Sequence, residues 1–299
     1  MTGRRRSLVV AGHGMVGHKL VQAVLERDGG RGWDITVLGE EPRAAYDRVH
    51  LSALFDGAAV EDLALVGVER SHPAVRIHTG ERVVSVDREA RIIATASGRR
   101  YPYDALVLAT GSVPWVPPVP GRELPGCFVY RTVEDVEAIK NWAATARRGV
   151  VVGGGLLGLE AANALRCCGV QTTVVEVAPR LMPAQVDETG GSVLGDHIRR
   201  LGVEVRTSTT VRSIAAGGAG GDGGDGRVGR VTLAAAKQGP GRSPGSGPDA
   251  TPHEEDLDAQ LVVFSAGVRP RDELARSCGL PVGQRGGVLV DEQCRTADP

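Results

Sequence analysis

The chain has 299 residues, 41% of them hydrophobic, and a formal net charge of −1. That length suits roughly two domains, each with a sizeable core. The near-zero charge excludes a general attraction to nucleic acid or anionic lipid, and no run reaches the ~20 apolar residues of a membrane span, so a soluble, cytoplasmic protein with small-molecule or protein partners is expected.

Arg4, Arg5 and Arg6 precede an apolar run. The run is glycine-rich, carries His13 and lacks a small-residue cleavage site, so it reads as a solvated tail before a first strand and not as a twin-arginine signal. From Ser7, SLVVAGHGMVGHKLVQAVLERD reads as strand, glycine turn and helix, and WDITVLGEE as the next strand. Together they form a βαβ unit with a right-handed parallel crossover. Shorter β-like runs follow in VRIHTGERVVSVD, RIIATAS and YDALVLATGS. Pro114, Pro117, Pro118 and Pro120 mark a stiff connector. From residue 147, RRGVVVGGGLLGLEAANALRCCGVQTTVVEVAP repeats the opening design. Residues 216–252 are dominated by Gly, Pro, Ser and Asp around the strand candidate GRVGRVTLAA. This is a β-meander with turns swollen by insertions at about 216–226 and 236–252, too poor in apolar residues to order themselves. DAQLVVFSAGVRP returns to a buried strand, and GGVLVDEQCRTADP begins another.

The five cysteines, Cys127, Cys167, Cys168, Cys278 and Cys294, are odd in number and show no CxxC spacing. This argues against a disulfide scaffold and against a zinc or Fe–S site, and no metal ligand set is assigned. Cys167 and Cys168, adjacent on a helix, read as packing thiols.

Two turns share the GxGxxG pattern, Gly12–Gly17 and Gly153–Gly158. With 42 glycines in the chain, the spacing alone carries little weight. Context carries more, because each turn follows an apolar strand, opens a helix and precedes a second strand ending in an acid. Gly12 and Gly153 permit the tight turn. Gly14 and Gly155 let the backbone approach a pyrophosphate, and Gly17 and Gly158 let helix and strand pack closely. The helix N-termini offer free N–H groups and the positive dipole end to phosphate. Glu40 and Glu176 lie 23 and 18 residues past the third glycines, where a carboxylate accepts hydrogen bonds from ribose hydroxyls. Glu176, followed by Val177, Ala178 and Pro179 with no cation, favours NADH over NADPH. Two cradles point to two dinucleotides, and a flavin with a nicotinamide makes a working redox couple.

The two cradles, with ATGS (Ala109–Ser112) and FSAGVRP (Phe264–Pro270), resemble the two-dinucleotide flavoprotein reductases, in which the first cradle holds FAD and the second NAD(P)H. GEEPRAAYDRVHLS, LATGSVPWVPPVPG, CFVYRTVEDVEAI, VVGGGLLGLEAANAL and VFSAGVRPRDELARSCGL resemble the N-terminal part of the large subunit of assimilatory NAD(P)H-dependent nitrite reductases. In YDRVHLS, Val49 and His50 replace the prolines of related ferredoxin reductases, and Ala53 stands where a flavin-contacting lysine would be. By matching motif positions, the resemblance implies FAD contacts from Gly12, Gly14, Met15, Gly17, Glu40, Arg48, Val83, Thr110, Gly111 and Arg131. Plain strand packing accounts for Val83 equally well. It implies NADH contacts from Gly153, Gly155, Leu156, Gly158, Glu160, Glu176 and Gly267, with Glu160 near the nicotinamide–flavin contact. Trp115 reads as a shield for the flavin or as a core or hinge residue. Hydride transfer needs positioning and no general base, so no side chain is assigned as catalytic.

The resemblance also implies a fold, an α/β chain of two Rossmann-like domains. An FAD domain over 1–118 and 264–299 would be interrupted by an NAD domain over 119–263. No cysteine precedes Cys127, so the redox-active pair of disulfide reductases is excluded. Electrons would leave for Fe–S clusters and sirohaem on a C-terminal portion, or for a small electron-transfer subunit. Thr296–Pro299 resembles the opening of a family segment that completes the flavin site, so the chain is expected to be a fragment with its FAD half incomplete. Three readings stay open: a nitrite reductase flavin module, a ferredoxin or rubredoxin reductase, and a nucleotide-binding remnant without turnover.

Overall fold

The computed structural model describes residues 4–65, 67, 72–217, 226–236 and 254–298. The expected insertions at 216–226 and 236–252 lie for the most part outside the described residues. The chain divides into two compact units: Met1–His50, Ala59–Val113 and Arg269–Pro299 form the first, Leu51–Ala58 and Pro114–Val268 the second.

The first unit opens with β1 (Arg6–Ala11), α1 (Met15–Asp28) and β2 (Trp33–Leu38). β1 and β2 run parallel in register from Arg6–Trp33 to Ala11–Leu38. With β3 (Val75–His78) and β7 (Ala105–Leu108) they form an all-parallel sheet of order β3-β2-β1-β7. A parallel strand is covered on both faces, which explains the unbroken apolar run of β1. Alternation along the strand divides its cover. Leu8 and Val10 pack with Val21 and Leu25 of α1, whereas Val9 packs with Leu38 and Ile93. Ile93 belongs to a three-stranded antiparallel sheet of β4 (Val83–Asp87), β5 (Ile92–Thr95) and β6 (Arg100–Pro102). Gly29, at φ +63°, ends α1 with its N–H donating to Leu25 O, a left-handed C-cap. The chain leaves this unit through β8 (Ser112–Pro114).

The second unit holds β9 (Cys127–Val129), α2 (Val133–Ala143), β10 (Arg148–Val152), α3 (Leu156–Cys167), β11 (Gln171–Val175), α4 (Glu188–Arg200) and β12 (Glu204–Arg206). β13 (Thr209–Ala216), β14 (Val228–Ala235), β15 (Glu255–Asp258) and β16 (Leu261–Phe264) complete it. Its parallel sheet has the order β12-β11-β10-β16-β9, and β13-β14-β15 form the expected meander. The chain returns to the first unit through β17 (Val268–Pro270), which pairs with β8, and α5 (Glu273–Ser277) belongs to that unit.

Two expectations need correction. The units change over at Pro114 and Arg269, and not at 119 and 264. Phe264 is the last residue of β16 and lies in the second unit's core with Val150, Val152 and Val262, while Val116 packs against the same core. The strand expected in GGVLVDEQCRTADP is reduced to a single bridge between Val282 and Val288. No strand pairs along it among the described residues, and the Asp291 carboxylate curls the chain by accepting from Gln293 N and Arg295 N.

Candidate functional site

The two glycine turns share one geometry. Gly12 has φ +119° and Gly153 φ +117°, a backbone that side chains rarely adopt. A Cβ on Gly12 would stand 2.1 Å from Ala109 O, and one on Gly153 would stand 2.4 Å from Ser265 O. A Cβ on Gly17 would meet Gly12 O at 2.2 Å, and one on Gly158 would meet Gly153 O at 2.0 Å. The chain's own packing therefore demands the first and third glycines. The second glycines differ, since a Cβ on Gly14 or Gly155 would meet nothing within 4 Å. Both are helix N-caps with ordinary negative φ, −98° and −81°. Nothing among the described residues requires glycine there, but a close-lying ligand would.

The helix ends make the same point. α2 is capped by Thr132 and Asp135 in a reciprocal box, and α4 by Asp187 accepting from Gly190 N at 2.7 Å. α1 and α3 have neither a capping side chain nor an acid in the first turn. Their first N–H groups stay available to an anion, beside the positive end of the helix dipole. The exposed side chains of Met15, Val16, Leu156 and Leu157 set apolar surface beside those donors. Free amides, room where a Cβ would intrude and flanking apolar surface suit a dinucleotide in each unit.

The expected residues gather at the carboxyl ends of the sheets. In the first unit, Gly12 directly follows β1, Glu40 follows β2, and Thr110 and Gly111 follow β7. The Thr110 hydroxyl donates to Arg271 O at 2.8 Å, and Arg271 N–H donates to Gly111 O at 3.0 Å. The Arg271 guanidinium pairs with Glu40, which also lies 4.0 Å from Arg82. Arg48 is held by Glu41 and lies over the Tyr46 ring, whose hydroxyl donates to Glu41 at 2.7 Å. Val83 begins β4, half-buried, opposite Thr95. Arg271, Arg82 and Glu41 escaped the sequence reading. Arg271 is 231 residues from Glu40, and no local pattern joins them.

In the second unit, Gly153 directly follows β10 and Glu176 directly follows β11. Glu176 is buried; its two oxygens accept from Gly154 N at 2.6 Å and Ala178 N at 2.7 Å. It braces the glycine loop, while each oxygen keeps a lone pair for a ribose hydroxyl. Gly267, at φ +110°, follows β16 and accepts at its carbonyl from Trp115 N–H at 2.9 Å. Leu156 opens α3, and Glu160 sits half-buried on its next turn. Arg131, expected beside FAD, belongs to the second unit, and its N–H donates to Asp135 at 2.9 Å. A cleft of about 820 Å³, lined in part by Arg148 and Gln260, lies at the opposite, amino ends of β10 and β16.

All five cysteines are free. Burial pushes the Cys127 thiol up to about 12. Cys167 and Cys168 are exposed at the end of α3, so the packing role expected for them is wrong; the helix turns that face outward. No group of three potential metal ligands occurs among the described residues, and no helix there is long and apolar enough to cross a membrane.

The chain is 47% identical over 293 residues to the nitrite reductase [NAD(P)H] large subunit of Klebsiella oxytoca, spanning 98% of this chain and 28% of that protein. It is 42% identical over 294 residues to the nitrite reductase (NADH) large subunit of Escherichia coli, spanning 98% and 32%. The chain thus spans about a third or less of these relatives' length. Among solved structures it superposes on a NAD-dependent persulfide reductase from A. fulgidus with a TM-score of 0.83 and 29% identity, over 98% of this chain and 51% of that one. A ferredoxin reductase from Rhodopseudomonas palustris gives 0.81 and 30%, over 99% and 66%. The family described as pyridine nucleotide-disulphide oxidoreductase matches residues 6–299, and the chain belongs to it.

Proposed function

We propose that this chain is the NADH-oxidising flavoprotein part of an assimilatory nitrite reductase. The observation that carries the reading is the pair of open second glycines, Gly14 and Gly155, each at an uncapped helix N-terminus in its own unit. When bound, NADH supplies a hydride and FAD accepts it. The first unit is the FAD-binding domain: amides at the start of α1 hold pyrophosphate, and Arg48 adds charge once released from Glu41. Glu40 takes ribose hydroxyls, and Arg271 orients it. The second unit is the NAD-binding domain, where the amides of α3 hold pyrophosphate and Glu176 takes ribose. A carboxylate fixed by two backbone donors cannot turn away from a 2′-phosphate. The next cation along the chain, Arg180, is spent on Val186 O and Pro183 O. Both features favour NADH over NADPH. Electrons would leave the flavin for Fe–S and sirohaem centres held elsewhere, or for a small carrier subunit, in the cytoplasm.

Anaerobic titration tests the core of the reading. The chain should take up FAD, and NADH should then bleach the flavin's visible absorbance. Uptake of only one cofactor refutes it. For the wider assignment, the reading frame past Pro299 should encode cysteine ligands for Fe–S and sirohaem. A stop codon there, or a continuation without them, refutes that part.

A further inference from the structure

The cleft at the amino ends of β10 and β16 has no part in the scheme above. It lies wholly in the second unit, and its volume of about 820 Å³ falls within the ~300–1,000 Å³ range of ligand sites. Four guanidinium groups line it, those of Arg147, Arg148, Arg227 and Arg230. Carboxylates offset two of them: Arg148 pairs with Asp258 at 3.1 Å, and Arg230 with Asp256 at 3.3 Å. No carboxylate among the described residues pairs with the Arg147 guanidinium. The positive charge is therefore in excess. α2 ends at this cleft, but the C-terminal end of a helix carries only about half a unit of negative charge, so the excess survives.

One residue organises the cleft. The side-chain oxygen of Gln260 accepts from Arg147 N–H at 3.2 Å and from Arg148 N–H at 3.0 Å. Its backbone oxygen accepts from the Trp142 indole N–H at 2.7 Å, and its own N–H donates to Arg148 O at 3.0 Å. The turn between α2 and β10 is thus fixed together with an indole in the cleft wall. Arg227 lies over that indole, 5.0 Å from the ring centroid. In β14, Arg230 stands opposite Ala215 and Val228 opposite Ala216 of β13, which leaves Gly229 as the extra residue of a bulge. Bulges re-aim side chains, and this one lies between the two arginines that the start of β14 brings to the cleft.

A guanidinium presents a planar fork of N–H donors that matches phosphate, and stacking on an indole engages its face and not that fork. Cations that converge on one concave site call for several negative charges on adjacent groups. A polyphosphate supplies them, whereas acidic side chains on one face of an extended peptide stand roughly 7 Å apart. We propose that this cleft binds a polyphosphate, either inorganic or carried by a nucleotide. Arg147 and Arg148 supply donors from the turn before β10, and Arg227 and Arg230 supply them from the start of β14. The second glycine turn lies at the other ends of these strands, so a polyphosphate held here does not displace a dinucleotide held there. The site stands whether or not that turn takes NADH.

The test is isothermal titration calorimetry of the 299-residue chain at low salt without divalent cations, with sodium tripolyphosphate, ATP and adenosine as probes. Tripolyphosphate and ATP should bind with Kd below about 1 mM, and adenosine should not bind. Tighter binding of ATP identifies the nucleotide as the source, and equal affinities identify the bare polyphosphate; both support the site. Arg147→Gln and Arg147→Glu remove an exposed guanidinium, so both should melt with the parent. They should weaken tripolyphosphate about 10-fold and at least about 30-fold, with affinity for NADH unchanged. Saturating NADH should leave the parent's affinity for tripolyphosphate unchanged. The proposal is overturned if neither polyphosphate binds, if binding is undiminished in both variants, or if NADH displaces the probe. Binding of an oligoglutamate peptide without binding of the polyphosphates overturns it as well. A chain that takes up polyphosphate through Arg147 but no NADH refutes the functional reading alone, which separates the two failures.

Discussion

Alanine placed at two glycines two residues apart should have opposite consequences. At Gly153, φ is +117°, and a Cβ would stand 2.4 Å from Ser265 O and 2.7 Å from Ser265 C, all of it backbone. The dihedral alone costs about 1–3 kcal/mol, and relieving the overlap needs a shift of the β16 end, so Gly153→Ala should lose at least about 3 kcal/mol. For a domain of this size that lowers Tm by roughly 6–12 °C. At Gly155, φ −81° and ψ −176° suit alanine, and its Cβ meets nothing within 4 Å. The weaker N-cap costs about 0.5–1 kcal/mol, and the stiffer unfolded chain returns about 0.4–1 kcal/mol, so ligand-free stability should barely move. The methyl instead occupies the space a pyrophosphate needs, which should weaken NADH about 10- to 100-fold. Melting followed by circular dichroism, with and without NADH at 100 times the parent's Kd, separates the cases. The parent gains about 2.7 kcal/mol from ligand, whereas Gly155→Ala should gain only roughly 0.4–1.4 kcal/mol. If Gly155→Ala melts as early as Gly153→Ala without ligand, or gains as much from NADH as the parent, the cradle argument fails.

Other outcomes follow from single groups. Glu176→Ala strips two backbone N–H groups of their acceptor, so it should cost roughly 2–4 kcal/mol in Tm measurements and narrow the preference for NADH over NADPH in binding assays. Glu81, buried, is held below the usual 4.5, first by the Ser97 hydroxyl and then by Thr95, with Arg99 adding charge. A depressed carboxylate contributes stability above its unfolded value and loses it as pH falls through the folded one. Acid unfolding below pH 4.5 should therefore be shallower in Glu81→Gln than in the parent when followed by fluorescence. A disulfide reagent at mildly alkaline pH should label the exposed Cys167 and Cys294 quickly, Cys168 more slowly because burial raises its thiol, and leave Cys127 unreacted, which peptide mass mapping reads directly.

Both βαβ units and both glycine turns were legible in the sequence, because their determinants are local. An apolar β-branched run, a glycine that alone tolerates φ near +120° and a helix without a capping acid lie within a few neighbouring residues. The meander β13-β14-β15 was equally readable from turn residues between alternating strands. Other features depended on contacts between distant segments. The pairing of Glu40 with Arg271 joins residues 231 apart. The seat of Phe264 was decided by which sheet β16 entered, and an apolar run cannot say which neighbour it will meet. The tail after Gly287 has strand-like residues but lacks a pairing partner among the described residues, and β structure exists only where a second backbone answers the first. The acids after β2 and β11 look alike in one dimension. Only the packed chain makes one an exposed partner of arginine and the other a buried brace for its own glycine loop, because burial and pairing are properties of the assembled fold.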